Sequence, residues 1–180
     1  ANNIDKYPLA KPYNPHDIGI ANIITSKTII GQGFTLRIRL RIVNYGTYNE
    51  FFTLNIHTNA TTLSAQTITL TKRNSTTVNF AWNTSSLTKG NYTITVHTTP
   101  VTDEIDTTDN TITDIWIFVT ILGDVNGDRV ADGQDISMIV DIAPSYPGLP
   151  NWNPNRDVND DDVADGQDVS MVVDVAPSYW

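Results

Sequence analysis

Apolar and polar residues alternate along much of the first 120 positions of the chain. Within residues 34–44, every second side chain from Phe34 to Ile42 is apolar, and threonine or arginine fills the positions between them. A period of two is typical of a β-strand with one buried face and one face in water. Similar runs predict strands at about 18–26, 51–58, 65–70, 75–82, 91–98 and 111–120. Seven short strands separated by turn residues favour a two-sheet antiparallel β-sandwich over 17–120.

The last of these strands differs from the others. Ile115, Ile117 and Val119 make one face of it apolar. The opposite face is apolar as well, with Ile112, Trp116 and Phe118. Both faces are therefore expected to be covered. The second face would lie against the segment that follows it or against a neighbouring chain.

Residues 121–180 follow a different pattern, in which one segment occurs twice. Residues 124–146 and 157–179 differ at five of 23 aligned positions. Each copy begins with an acidic loop, DVNGDRVADGQD or DVNDDDVADGQD, and continues with apolar residues at helical spacing. This predicts helices at about 134–143 and 167–176, and a small α domain over 121–180. The predicted core stripes are Ile136, Ile139, Val140 and Ala143, and Val169, Val172, Val173 and Ala176.

The two acidic loops have the oxygen pattern of a calcium site. Side-chain oxygens at loop positions 1, 3, 5, 9 and 12, with a backbone carbonyl at position 7, suit a hard cation that takes six to eight oxygen ligands. The predicted Ca²⁺ ligands are Asp124, Asn126, Asp128, Val130, Asp132 and Asp135 in the first loop, and Asp157, Asn159, Asp161, Val163, Asp165 and Asp168 in the second.

The charge distribution supports a need for cations. The formal net charge of −9 combines nine Lys/Arg and eight Asp/Glu in residues 1–120 with two Arg and twelve Asp in residues 121–180. Such an acidic segment repels itself unless cations neutralise it. Nucleic acid is disfavoured as a partner because no basic patch is available. Cysteine is absent, and no apolar run is long enough for a membrane span.

The duplicated loop–helix unit lacks the entering helix of an EF-hand and resembles a type I dockerin over about 121–180. Loop position 6, usually glycine, is Arg129 or Asp162 here, and the first of these residues is expected to strain its loop. The resemblance implies docking of a cohesin-like protein on the helix faces. The apolar residues outside the predicted stripes are either an exposed patch for that partner or a wider core: Met138, Ile142, Met171 and Val175.

The β-rich region resembles the CARDB family over roughly 17–120. The resemblance rests on DIGIANIITSKTIIGQGFTLRIRLRIVNYG, TTVNFAWNTSSLTKGNYTI and DEIDTTDNT. It implies an immunoglobulin-like module of archaeal and bacterial surface proteins that is non-catalytic and serves adhesion or spacing.

Several weaker signals remain open. An acidic loop containing Asp103, Asp106 and Asp109 is either a third cation site or a solvated turn. Four Asn-x-Ser/Thr sequons mark where glycans could be attached, at Asn59, Asn74, Asn83 and Asn91. The three histidines lie in no nucleophile–base or metal-ligand pattern, and we expect the protein not to be an enzyme.

These features predict an extracellular or cell-surface protein for assembly or adhesion, which binds a cohesin-like partner or other copies of itself. The proline-containing residues 1–16 are read as a linker. One alternative is a filament subunit that polymerises head to tail through this segment. Within this segment, NNIDKYPLAKPY resembles the segment that closes a β-helix domain in some archaeal surface proteins, and this resemblance implies that the chain is the C-terminal part of a longer protein. Another alternative is an ancillary module of a surface hydrolase.

Overall fold

The computed structural model describes residues 15–59 and 61–176, without the side chain of Asp114. Most of the tail expected at 1–16 therefore lies outside the described residues. Among these described residues, eight strands precede two helices. The strands are β1 (Ile18–Thr25), β2 (Ile29–Gly31), β3 (Thr35–Asn44), β4 (Glu50–Thr58), β5 (Thr62–Leu70), β6 (Ser75–Asn83), β7 (Gly90–Thr98) and β8 (Thr111–Thr120). The helices are α1 (Gly133–Val140) and α2 (Gly166–Val175), with a 3₁₀ turn at Pro154–Arg156 between them.

The strands form two sheets that pack face to face. One sheet has the order β1-β3-β6, and the other has the order β2-β8-β7-β4-β5. All seven strands expected from the sequence are present. The prediction missed β2, because three residues are too short to show a period of two. It was also wrong in making every pair antiparallel, since β2 runs parallel to β8.

The core lies between the two sheets and is built by the alternation seen in the sequence. In β3, Leu36, Ile38, Leu40 and Ile42 are at most 1% exposed, and the residues between them face outward. Burial of each such side chain stabilises the fold by about 1.5–3 kcal/mol. Trp82 and Tyr92 meet edge to face across the sheets, with ring centroids 5.4 Å apart, a geometry that aromatic pairs favour.

Strand β8 joins the sandwich to the C-terminal segment. Ile117 and Val119 are fully buried in the sandwich core. On the opposite face, Phe118 lies under the first acidic loop, as the expectation of a covered second face requires. Trp116 is 60% exposed, so that expectation was wrong for it.

The two C-terminal helices share a small core with the loops that precede them. Its buried residues are Val125, Ala131, Ile139, Val158 and Val172. Each helix begins at a capping box, with Asp132 or Asp165 as the N-cap, which satisfies otherwise unpaired N–H groups of the first turn.

The predicted helix stripes were partly misplaced. Val140 and Val173 are each 55% exposed, whereas Ile142 is 8% exposed and Met138 and Met171 pack partly buried against the core. Loop residues such as Val125 and Val158 fill the space that the stripes were expected to fill. Of the four residues considered as a partner patch, Val175 is exposed at 41%.

Candidate calcium-binding loops and their junction with the sandwich

Both acidic loops are organised around the carboxylate at loop position 12. In the first loop, Asp135 Oδ1 accepts from the N–H groups of Val125 and Asn126 at 2.9 and 3.3 Å, and its Oδ2 accepts from Asp132 N at 2.9 Å. In the second loop, Asp168 accepts from the three equivalent N–H groups at 2.6, 3.1 and 2.8 Å. The carboxylate that ends each loop thereby fixes its beginning.

The carboxylate at position 1 closes each loop from the other side. Asp124 accepts from Gly127 N at 2.6 Å and from Arg129 N at 2.8 Å. Asp157 accepts from the backbone N–H groups at the same positions, those of Asp160 and Asp162, at 2.8 and 3.0 Å. The second loop thus repeats the bonding of the first.

Positions 3 and 5 also repeat. Asn126 Oδ1 accepts from Asp128 N, and Asp128 Oδ1 accepts from Val130 N, both at 2.8 Å. The equivalent bonds of Asn159 and Asp161 measure 3.0 and 2.9 Å. Oxygen-bearing side chains at alternate positions therefore turn back over their own loop.

Position 6 of each loop adopts the left-handed backbone conformation expected of a glycine there. Arg129 has φ 77° and Asp162 has φ 67°. A residue with a Cβ is disfavoured in this region by about 1–2 kcal/mol, and aspartate tolerates it better than arginine. The guanidinium of Arg129 lies 5.7 Å from the ring centroid of Phe118, a contact that offsets part of the strain.

Each loop buries two carboxylates whose charges repel each other. Asp124, Asp135, Asp157 and Asp168 are at most 3% exposed. Burial raises the pKa of Asp135 above its ordinary value, and the charge of Asp124 raises it further, although backbone N–H groups oppose the rise. Burial also raises the pKa of Asp157, with Lys27 opposing it and Asp168 adding to it. Paired buried carboxylates are costly unless a cation compensates them.

The donor chemistry of both loops fits Ca²⁺. Within the part of the chain that the structure describes, no Lys, Arg or His forms an ion pair with Asp124 or Asp135, so a dication would supply the missing compensation. Among the same residues, no three His, Cys, Asp or Glu side chains form a group that could hold a metal by themselves. The predicted ligand sets also use an asparagine oxygen and a backbone carbonyl. Calcium in these loops stays a prediction.

The second loop is held against the sandwich by two basic residues. Lys27, 5% exposed between β1 and β2, donates from Nζ to the carbonyl oxygen of Asp157 at 2.5 Å and lies 3.3 Å from Asp160 Oδ1. Arg37 on β3 reaches Asp160 and Asp162 at 3.4 and 2.9 Å. Sequence reasoning missed Lys27, because a single lysine between two apolar runs carries no pattern.

Two further contacts complete the junction. Asn155 Oδ1, in the 3₁₀ turn, accepts from the N–H groups of Thr28 and Ile29 at 2.9 and 3.0 Å and so ties β2 to the C-terminal segment. In the first loop, a Cβ on Gly127 would lie 3.3 Å from Ile29 and 3.5 Å from Phe118. The loops therefore pack directly on the edge of the sandwich formed by β2 and β8.

The acidic loop before β8 serves the sandwich. Glu104 Oε1 accepts from Ile18 N at 2.7 Å, and its Oε2 accepts from Val101 N at 2.9 Å and from Asn110 Nδ2 at 3.0 Å. Asp103 and Asp106 are exposed, while the carboxylate of Asp109 lies over Gly19. These contacts explain why the loop is ordered, and the third cation site stays a prediction.

The other predicted sites lie at the surface. The four sequon residues are all exposed, which leaves them accessible to glycosylation: Asn59, Asn74, Asn83 and Asn91. His57 and His97 each bond a threonine hydroxyl, and His16 lies 2.8 Å from Glu50. No helix in the described ranges is long and apolar enough to cross a membrane.

Comparison with known proteins identifies the fold of the sandwich. No family model matches the sequence, and no curated protein matches it. The crystal structure of a CARDB domain from Pyrococcus furiosus, in complex with di-metal ions, has a TM-score of 0.53 and 17% identity, and the match covers 62% of this chain and 99% of that one. A domain of a candidate cell surface protein from Methanosarcina acetivorans has a TM-score of 0.45 and 22% identity, with 58% and 91% covered. The chain thus contains a CARDB-like β-sandwich followed by two short helices.

Proposed function

We propose that this protein is a non-catalytic, extracellular structural protein in which two Ca²⁺ ions stabilise a dockerin-like segment. The observation that carries the proposal is the repeated bonding of the two loops. In each loop the carboxylates at positions 1 and 12 are buried. They accept hydrogen bonds from backbone N–H groups at the same positions in both loops. A bound cation would neutralise these carboxylates and fix the start of the following helix, which couples ion binding to folding.

The junction supports a structural role for the whole unit. Lys27, Arg37 and Asn155 bond across it, so the C-terminal segment and the sandwich form a continuous body. A rigid body of this kind suits a spacer or an assembly subunit. In this proposal, a protein partner docks on the exposed helix faces, and the site is the cell surface.

Calorimetric titration of the chelated protein with Ca²⁺ tests the proposal. We expect about two ions per chain, as the two loops imply. Asp135→Asn and Asp168→Asn should each remove one ion, and Asp141→Asn, outside the loops, should remove none. An absence of binding heat, or a stoichiometry unchanged in both loop variants, contradicts the proposal.

A stoichiometry above two would point to the acidic loop of Asp103, Asp106 and Asp109. The Pyrococcus domain of similar fold is described as a complex with di-metal ions, so the same titration should be repeated with Asp106→Asn. Loss of the additional ion in that variant would assign a third site. No change would leave the acidic loop as a structural turn.

A further inference from the structure

The sequence indicated no basic patch, but the sheet β1-β3-β6 has a basic outer face in a chain that is strongly acidic. The three strands contain three arginines and no Asp or Glu. Arg37, Arg39 and Arg41 occupy successive outward positions of β3, about 6.6–6.8 Å apart at the usual rise of a strand. We call this surface the arginine face, formed by Asn22, Ile24, Arg37, Arg39, Arg41, Thr77, Asn79 and Ala81.

The neighbours of the arginines leave their charge uncompensated. Asn22 and Ile24 on β1 lie beside Arg41 and Arg39. On β6, Thr77 and Asn79 lie beside the same two arginines. Cross-strand partners share a face of the sheet, so each of these arginines has uncharged neighbours on both sides. Within the described residues, neither Arg39 nor Arg41 forms an ion pair.

One arginine of this face already binds carboxylates of the same chain. Arg37, at one end of it, pairs with Asp160 and Asp162 of the second loop. A groove of about 740 Å³ lies between the face and the C-terminal segment. The residues of this ion pair form part of its lining, together with Trp152 and Ile24. Ile24 is 50% exposed. The free part of the face therefore combines two cationic groups with an apolar side chain.

The C-terminal ends of α1 and α2 have the complementary character. Each presents a valine that is 55% exposed, Val140 or Val173, followed by an exposed aspartate, Asp141 or Asp174. Neither helix has a basic residue in its last turn. Since the C-terminal end of a helix also carries a partial negative charge, both ends attract cations. These two helix ends occupy equivalent positions in the repeat.

We propose that the arginine face binds a helix end of a second copy of this chain, with Arg39 and Arg41 facing Asp141 or Asp174 and Ile24 facing the adjacent valine. The face and the helix ends are different surfaces, so the contact is heterologous. Such a contact leaves one free arginine face and three free helix ends on each pair, so it can continue into a head-to-tail chain of copies. This inference rests on the proposed assembly role and names the partner as the protein itself.

Sedimentation velocity of the full chain tests the contact. We expect the weight-average mass to rise with protein concentration at low salt. The rise should weaken in about 1 M NaCl, where the screening length falls to about 3 Å. Arg39→Glu with Arg41→Glu should weaken association by at least about tenfold, since attraction becomes repulsion. Lys72→Glu with Lys89→Glu, which makes the same change in net charge elsewhere on the surface, should leave association intact.

Charge exchange separates a direct contact from a general charge effect. Asp141→Arg with Asp174→Arg should also abolish association. Combining these changes with Arg39→Glu and Arg41→Glu should restore it, because each ion pair is re-formed with reversed signs. A wild-type protein that stays monomeric at all concentrations, a combined variant that stays monomeric, or association that persists in the arginine variant overturns the proposal. So does binding of an acidic polysaccharide by a monomeric protein that needs Arg39 and Arg41.

Calcium titration of the wild-type protein, combined with its sedimentation behaviour, distinguishes this inference from the proposed calcium sites. Two ions bound by a monomeric wild-type protein would refute only the self-association. Association without calcium binding would refute only the metal sites.

Discussion

Lys27 is the residue whose removal tests the junction most sharply. Its ammonium group is buried, donates to the carbonyl oxygen of Asp157 and lies 3.3 Å from Asp160 Oδ1. Replacing lysine by methionine keeps most of the apolar stem and removes the charge. The buried carbonyl oxygen and the carboxylate of Asp160 would then lose their shared donor.

The magnitude follows from what remains around Asp160. Removing one partner of a buried ion pair costs about 3–5 kcal/mol. Asp160 is 18% exposed and keeps Arg37 at 3.4 Å, so the loss is smaller. We expect Lys27→Met to lower the free energy of unfolding by about 2 kcal/mol in chelator, or about 4–8 °C in Tm. With Ca²⁺ the cost should fall, because a bound ion would compensate Asp157.

Denaturant unfolding followed by tryptophan fluorescence measures this effect. Lys89→Met, at an exposed lysine, is the matched control and should change the free energy of unfolding by less than about 0.5 kcal/mol. A double-mutant cycle with Asp160→Asn isolates the pair. If Lys27→Met unfolds at the same denaturant concentration as Lys89→Met, the reasoning about the junction is wrong.

Three further predictions concern the loops and their attachment. Because Arg129 has φ 77°, the Arg129→Gly variant should be more stable than the Arg129→Ala variant by about 1 kcal/mol in thermal unfolding. Equal stabilities would contradict the claim that the backbone is strained at this position. Asn155→Ala removes the acceptor for two N–H groups at the start of β2 and should lower the free energy of unfolding by about 1–2 kcal/mol. The amide of Ile29 should then exchange faster, and an unchanged exchange rate would contradict this prediction. In chelator, the raised pKa values of Asp135 and Asp157 make the native state bind more protons than the unfolded state. Their contribution to stability is therefore present below the ordinary pKa of 3.8 and is lost as the pH rises through the raised pKa. Asp135→Asn removes one of these groups and should make Tm depend less steeply on pH. An equally steep dependence in the variant would refute this assignment.

The alternation of apolar residues predicted most of the sandwich. In β3 the period of two is uninterrupted from Thr35 to Ile42, and the buried positions in that stretch are those read from the sequence. The strand β2 was not predicted, because Ile29–Gly31 is held as a strand by its pairing with β8 and by its hydrogen bond to Asn155, which lies far along the chain. Contacts between distant segments leave no local period.

The loop–helix repeats were predictable because the same residues occur twice at the same spacing. The sequence predicted less well which face of each helix is buried. Val140 was expected in the core and is exposed, because the loop residues Val125 and Val158 occupy the interior beside Ile139. The role of Lys27 could not be read from the sequence either, because it depends on how the C-terminal segment lies against the sandwich.

Amide hydrogen exchange with and without Ca²⁺ tests the central claim most directly. If divalent ions hold the C-terminal segment in place, chelation should speed amide exchange in residues 121–176 and at β2, while β3, β4 and β7 keep their protection. Re-addition of Ca²⁺ should restore the slower exchange. Identical exchange in residues 121–176 under the two conditions would contradict the account, because the acidic segment would then be equally stable without any cation.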